Sequence, residues 1–545
     1  MCAEQEQVRD SGLMKVAVIG SGASGLTAIK TCLDEGITPV CFEEHDNIGG
    51  VWNYVHTTKN SGSIYKSTVA NSSKEMMGFS DFPVPKEFPN FMHHSKIQEY
   101  FNLYAERFQL RQHIRFFTRV VSCTTSSGFD NNGQWKVTQE DVKTGKKTIE
   151  IYDGVLVCVG RHAVPYFPLE DFKGIENFKG KYIHSRDYRD PTGYENLNVV
   201  VVGIGNSGVD IAVDLCRQSK QVYLSTRRGA WIFRRIDNHG LPSELQFARK
   251  FVTDVRKIIP RVLFQYIGRK VVANHFDHEK YGLLPDHPVF AQCCCINDDI
   301  ADRMSTGSIQ VRSNIAEFTK NSVIFEDGTE ENIDAAIFAT GYSVEYPFLK
   351  SILQVEENRC DLFKYVWPPH LKKHTLAIIG AIQPLGAVNP ISEIQCRWTT
   401  KVFKGELGMP SEEEMKKDIQ KIREALANNY VKSKRHETLV NYQPYMDEIA
   451  DIISCKPKYL KYFITDPYLA FKVYFGPAVP SMYRLEGPGR WSEARKTIMT
   501  VDDRILFPLK KRMTKSIGSH TKFYLVLDII LFGIVAMIIS YLWAT

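Results

Sequence analysis

Two stretches of this chain share one form. "VAVIGSGASGLTAI" (16–29) and "VVVGIGNSGVDI" (200–211) each run from apolar, valine-rich residues through Gly-x-Gly-x-x-Gly into an apolar helical period. Such a stretch reads as a buried strand, a tight turn and the start of a helix. The first glycine permits the bend, the second lets a pyrophosphate approach the backbone, and the third lets helix and strand pack closely. One fingerprint implies one dinucleotide. Two imply that something passes from one dinucleotide to the other.

The rest of the chain extends the pattern. "DGVLVCVG" (153–160), "DAAIFATGY" (334–342) and "TLAIIGAIQPLG" (375–386) are further apolar runs ending in glycine. "HSKIQEYFNLYAERF" (94–108) reads as an amphipathic helix capped by Ser95, and "QWKVTQ" (134–139) as part of a small meander. In "PSEEEMKKDIQKIREALANN" (410–429) Glu414 is spaced for a capping box. Strands alternating with helices predict an α/β fold of two doubly wound Rossmann-like domains, the second inserted into the first. The expected division is a polar extension (1–14), a flavin-domain first part (15–165), an NADP domain (166–333), a returning flavin part (334–445), a C-terminal region (446–514) and a tail (515–545).

The residue ending the second strand of each unit tells the two sites apart. After Gly20, Ser21, Gly22, Ala23, Ser24 and Gly25, that strand ends in Glu43, a carboxylate suited to ribose hydroxyls. After Gly203, Gly205 and Gly208 the corresponding place is Thr226, followed by Arg227 and Arg228. A carboxylate repels a 2′-phosphate and an arginine fork accepts it. The first site suits an adenine dinucleotide with a free ribose and the second NADPH/NADP+, unless the arginines only decorate a surface turn; two such sites suggest hydride transfer from NADPH to bound FAD.

Disulfide reductases share this plan but need a redox cysteine pair. The 12 cysteines form no CxxC or CxxxxC pair, and Cys293-Cys294-Cys295 is their only cluster. No metal set is expected, and the electrons are left with O2 as the simplest acceptor. A net charge of +6 over 545 residues is mild and gives no sign of a nucleic-acid partner. The N-terminus has no signal-peptide form. "FYLVLDIILFGIVAMIISYLW" (523–543) has the length and apolarity of a transmembrane helix, behind Lys510, Lys511, Arg512, Lys515 and Lys522. The expectation is a C-terminal tail anchor with the body in the cytosol; the alternative is a buried C-terminal hairpin or helix.

"FKGKYIHSRDY" (178–188) fits F-x-G-x-x-x-H-x-x-x-[YF], and with it occur "GGVW" (49–52), "ANSSKEMM" (70–77), "FATGY" (338–342) and "YRLEGPGRW" (483–491). By these motifs the chain, from about Lys15 to Thr545, resembles the flavin-containing monooxygenases, above all the animal microsomal type and its fifth vertebrate isoform. The resemblance implies an NADPH- and O2-dependent enzyme of the endoplasmic reticulum membrane that forms a C4a-hydroperoxyflavin. Its substrates would be small soft nucleophiles, amines and sulfides among xenobiotics. Carried over by position, Val51 and Trp52 line the flavin, and Asn71 and Ser72 lie beside its reactive edge. Asn71 also faces the nicotinamide and is the catalytic residue, and Ala70 belongs with it to the NADP site. Ser207, Gly208, Val209 and Asp210 contact NADP, and Gln383 approaches the flavin. His184 stays open between packing at the domain junction and a role in the site. Tyr188-Arg189 stands where Baeyer–Villiger monooxygenases typically carry Trp-Pro, yet the fifth isoform is associated with ester formation from ketones. Ketone oxygenation, an NADPH oxidase, a nucleotide-sensing scaffold and a homo-oligomer on the membrane stay open.

Overall fold

The computed structural model describes residues 13–56, 64–433 and 437–512. Two five-stranded parallel sheets carry the architecture. In the first, the order across the sheet is Leu376–Ile378, Gly154–Val157, Lys15–Ile19, Thr38–Phe42, Ile114–Arg115. In the second it is Ile309–Arg312, Gln221–Ser225, Asn198–Val202, Ala335–Phe338, Lys181–His184. Both central strands are buried along nearly their whole length, which is why their sequences are continuous apolar runs.

The chain leaves the first sheet after Val157, builds the second and returns at Leu376, so the second domain is inserted into the first. Its strand Ala335–Phe338 pairs with Asn198–Val202 and belongs to the second sheet. The division expected after residue 333 therefore comes too early, because the partner that captures this run is 136 residues back in the chain. The meander is Thr118–Thr125, Trp135–Asp141 and Lys147–Tyr152, all antiparallel.

The C-terminal region is part of the first domain's core. Met482, Tyr483, Ile498 and Ile505 share a buried cluster with Leu26, Tyr100 and Ile391. Helix Val388–Phe403 lies against helix Ala23–Asp34, where the Ser24 and Ser392 hydroxyls meet at 2.9 Å. The capping box at Ser411 and Glu414 forms as expected. The cap of the 94–108 helix is His93, not Ser95: its ring nitrogen accepts from the Ser95 N–H, so the cap lies two residues earlier than expected.

The expected transmembrane helix, 523–543, lies outside the described residues and is no part of the fold described. Among the described residues no helix is long and apolar enough to cross a membrane. The fold class is corrected to a mixed α/β fold of two Rossmann-type domains.

Candidate functional site

The two glycine turns fold alike. Gly20 and Gly203 take φ of +97° and +109°, and a Cβ on either would come within 2.8 Å of a carbonyl oxygen on the neighbouring strand, Cys158 or Ala339. A Cβ on Gly25 would overlap the Gly20 carbonyl oxygen, and one on Gly208 the Gly203 oxygen. Helix and strand cross too closely there for any other residue. Gly22 and Gly205 each occupy the N-cap of the following helix without a side-chain cap, leaving the first-turn N–H groups for a ligand. Gly22 is the permissive position: the nearest atom to a Cβ there is Gly50 Cα at 3.6 Å. This glycine-lined cradle, which a side chain would fill, fits a pyrophosphate.

Glu43 follows strand Thr38–Phe42 and lies beside the first turn. Its Oε2 accepts from the Ser21 N–H at 2.9 Å and the Ser21 hydroxyl at 2.7 Å, and its Oε1 accepts from the His45 N–H at 3.0 Å. Val51 and Trp52 lie in the short helix Gly50–Trp52 that faces Gly22, with Val51 38 % exposed.

At the second turn, Ser207, Gly208 and Val209 lie in the opening of helix Asn206–Leu215, Val209 fully buried. Asp210 is turned to the protein: it accepts from the Tyr65 hydroxyl at 2.8 Å and the Asn297 amide at 2.7 Å. Burial pushes its carboxyl up, against Arg235, Tyr65 and Asn297. Beyond strand Gln221–Ser225, Thr226, Arg227 and Arg228 line a cavity of about 500 Å³ together with Tyr281, Arg312 and Ser313. Arg312 is engaged by Glu331 at 2.5 Å and by Gln310 at 2.6 Å, whereas Arg227 and Arg228 stand exposed at this cavity. The Thr226 hydroxyl accepts from the Gly229 N–H at 3.1 Å and tightens the arginine turn.

Asn71 lies on the loop that leads into helix Lys74–Met77. It is half-buried, and its Oδ1 is a buried acceptor with no hydrogen-bond partner among the described residues. An orphaned acceptor of this kind is costly unless a ligand satisfies it. The Ala70 carbonyl accepts from Arg235 Nε at 3.4 Å, and the Ser73 N–H donates to Glu244. Arg235 and Glu244 come from the second domain, in a stretch with no motif. Gln383 bridges the domains, accepting from Arg161 at 2.9 Å and donating to Cys293 Sγ at 2.9 Å.

Within "FKGKYIHSRDY" the buried residues Phe178, His184 and Tyr188 pack in the core, while Lys181 and Tyr182 are exposed. His184 is 1 % exposed against Phe167 and Tyr342, its Nδ1 accepting from the Arg186 N–H at 3.1 Å. Tyr188 is buried and donates to Asp214 at 2.9 Å. "YRLEGPGRW" is similar: Arg484 is 4 % exposed and donates to Glu393 at 2.7 Å, Ser80 at 2.6 Å and the Gly489 carbonyl at 2.9 Å.

Two glycine turns of one geometry, each at the carboxyl end of its own parallel sheet, define a protein with two Rossmann-type domains. The chain belongs to the flavin-binding monooxygenase-like family, whose model matches residues 13–544. It is 49 % identical over 509 residues to flavin-containing monooxygenase 5 of Rattus norvegicus, covering 93 % of this chain and 95 % of that one. It is 44 % identical over 530 residues to flavin-containing monooxygenase 2 of Homo sapiens, covering 97 % and 98 %. Among solved structures, an S-allyl-L-cysteine S-oxygenase from Allium sativum superimposes with a TM-score of 0.61 at 24 % identity, over 89 % of this chain and 98 % of that one. An NADP+-bound cyclohexanone monooxygenase from Rhodococcus sp. Phi1 gives 0.59 at 16 %, over 81 % and 98 %. At these identities the likeness is one of fold. The protein is an oxidoreductase of the monooxygenase type.

Proposed function

We propose that this enzyme uses FAD and NADPH to transfer one oxygen atom from O2 to small soft nucleophiles, amines and sulfides above all. The observation that carries this reading is the pair of like glycine turns with unlike ribose ends, Glu43 at one and the Arg227–Arg228 cavity at the other. When bound, the flavin supplies the redox and oxygen chemistry. The protein's own residues bind and orient. The helix N-termini behind Gly22 and Gly205 receive the two pyrophosphates, Glu43 accepts from ribose hydroxyls, and Arg227 takes the 2′-phosphate. Asn71 offers a donor and an acceptor at the flavin edge without a charge, and Ser72 lies beside it. Val51 and Trp52 exclude water from that edge. A location at the endoplasmic reticulum is supported only by the resemblance to microsomal relatives, and no membrane segment enters the reading.

The test is anaerobic mixing of the flavin-loaded protein with NADPH, then addition of oxygen with and without an amine or sulfide. Bleaching of the flavin followed by oxygenated product at near one per NADPH supports monooxygenation. Hydrogen peroxide in place of product makes the protein an oxidase, and absence of bleaching makes it a nucleotide-binding scaffold.

A further inference from the structure

In the second sheet, Gln221–Ser225 and Ile309–Arg312 are adjacent parallel strands, yet residues 226–308 run between them. One helix suffices for such a crossover. The surplus reaches across to the first domain, where Glu244, on the short helix Glu244–Phe247, meets the loop that carries Asn71.

That loop is tied at four successive places. Its own domain holds the ends: the Ala70 N–H donates to the Met92 carbonyl at 2.9 Å, and the Lys74 N–H to Asn90 at 2.8 Å. The inserted segment holds the middle, with Arg235 on the Ala70 carbonyl and Glu244 on the Ser73 N–H. Arg235 is itself fixed by Asp298 at 2.9 Å. Ser73 is fully buried and is the N-cap of helix Lys74–Met77, so Glu244 takes a donor from the residue that starts a buried helix. No water can replace that bond cheaply.

We infer that Glu244 is a positioning residue, holding the Asn71 loop in place from the opposite domain and so setting how well oxygen transfer is coupled to NADPH consumption. This rests on the reading of Asn71 given above. Burial pushes the Glu244 carboxyl up to about 7, opposed by hydrogen bonding from Ser73 and Ser72. The titratable group facing it from helix Tyr442–Ile452 is Tyr442, whose phenol burial also raises, and the 70–73 loop brings no charge. Ionised, Glu244 holds the Ser73 N–H by a charge-assisted bond; protonated, by a weaker neutral one. The hold tightens from pH 6 to 8.

The test uses the flavin-loaded protein at rest and in turnover. Amide hydrogen exchange over 70–77 is followed at pH 6 and 8, corrected for intrinsic rates, in wild type, Glu244→Gln and Glu244→Ala. The alanine variant is expected to exchange the Ser73 amide about 10- to 150-fold faster, as loss of a hydrogen bond to a charged group implies. Its ratio of product to peroxide should fall while its flavin content holds. The glutamine variant keeps an acceptor, so it should retain protection but lose the pH difference. Wild-type protection in Glu244→Ala overturns the proposal, as does a pH difference that persists in Glu244→Gln, the variant that decides if alanine fails to fold. Faster exchange with unchanged coupling, while Asn71→Asp uncouples, overturns the positioning role and leaves Asn71 standing. If neither variant changes coupling, the reading of Asn71 fails and takes this proposal with it.

Discussion

The Tyr65 hydroxyl donates to Asp210 Oδ2 at 2.8 Å, joining the first domain to the helix behind the second glycine turn. The other carboxylate oxygen takes the Asn297 amide, so Asp210 is satisfied from both domains. Tyr65→Phe leaves Oδ2 enclosed with one partner fewer. We expect a loss of about 1–3 kcal/mol in stability and weaker NADP+ binding, read from urea unfolding and from titration of NADP+ into the flavin-loaded protein. An unchanged unfolding midpoint would mean that Asp210 finds another donor.

Gly22 and Gly25 separate binding from folding. A Cβ at Gly22 meets nothing closer than 3.6 Å within the chain but stands where a pyrophosphate would lie. One at Gly25 overlaps the backbone of Gly20. Gly22→Ala should therefore purify folded and lose most of its flavin, whereas Gly25→Ala should lose stability by about 1–3 kcal/mol or more, the cost of overpacking. Flavin absorbance per polypeptide and the unfolding midpoint check both. A flavin-replete Gly22→Ala protein would place the phosphates elsewhere.

Arg227→Ala should weaken NADPH about 10- to 150-fold, the equivalent of a charge-assisted bond of about 1.5–3 kcal/mol. NADH, without the 2′-phosphate, should be nearly unaffected. Steady-state KM values for the two coenzymes decide it, and an equal loss for both would assign Arg227 to the fold, or the phosphate to Arg228.

Asn71→Asp nearly keeps the volume and replaces the amide donor by a charge beside an acceptor position that is already unsatisfied. Flavin should still bind and still be reduced by NADPH. Oxygenated product should fall, and peroxide per NADPH should rise toward one. A wild-type ratio of product to peroxide would make Asn71 an ordinary loop residue.

Arg484, Glu393, Asp81 and Lys30 form a buried ionic network, with Arg484 3.1 Å from Asp81 and Lys30 2.5 Å from it. Removing one partner strands a charge, so Arg484→Met should cost about 3–5 kcal/mol. Burial works to raise the Asp81 carboxyl, yet Arg484 and Lys30 hold it below the usual carboxylate range. Its contribution is therefore complete above the ordinary Asp value of about 4 and lost as pH falls through the lowered one. Unfolding midpoints between pH 5 and pH 2 should fall in wild type and fall less steeply in Asp81→Asn.

Much of the site was legible because it is local. A glycine turn, its strand and its helix lie within about fourteen consecutive residues, and steric overlap at Gly25 and Gly208 leaves the sequence no other choice. The capping box at Ser411 and Glu414 is legible for the same reason, its partners one helical turn apart. At the start of the 94–108 helix the local signal misled: a serine has the stronger capping preference, but the His93 ring reached the free N–H first. The expected transmembrane helix was read from apolarity, length and a basic flank, and 523–543 lies outside the described residues.

What the sequence by itself determined, then, is the pair of glycine turns, the unlike residues Glu43 and Thr226–Arg228 that follow the second strand of each unit, and the parallel sheets that carry them. What only the tertiary structure decided is which residues bind these parts together. Tyr65 and Asp210 are 145 residues apart, Ser73 and Glu244 171, and Glu393 and Arg484 91. It decided too that Ala335–Phe338 completes the second sheet and that the C-terminal region closes the core of the first. Periodicity and turn chemistry act between neighbours in the chain, whereas a buried carboxylate is satisfied by whichever donor the packed domains bring to it.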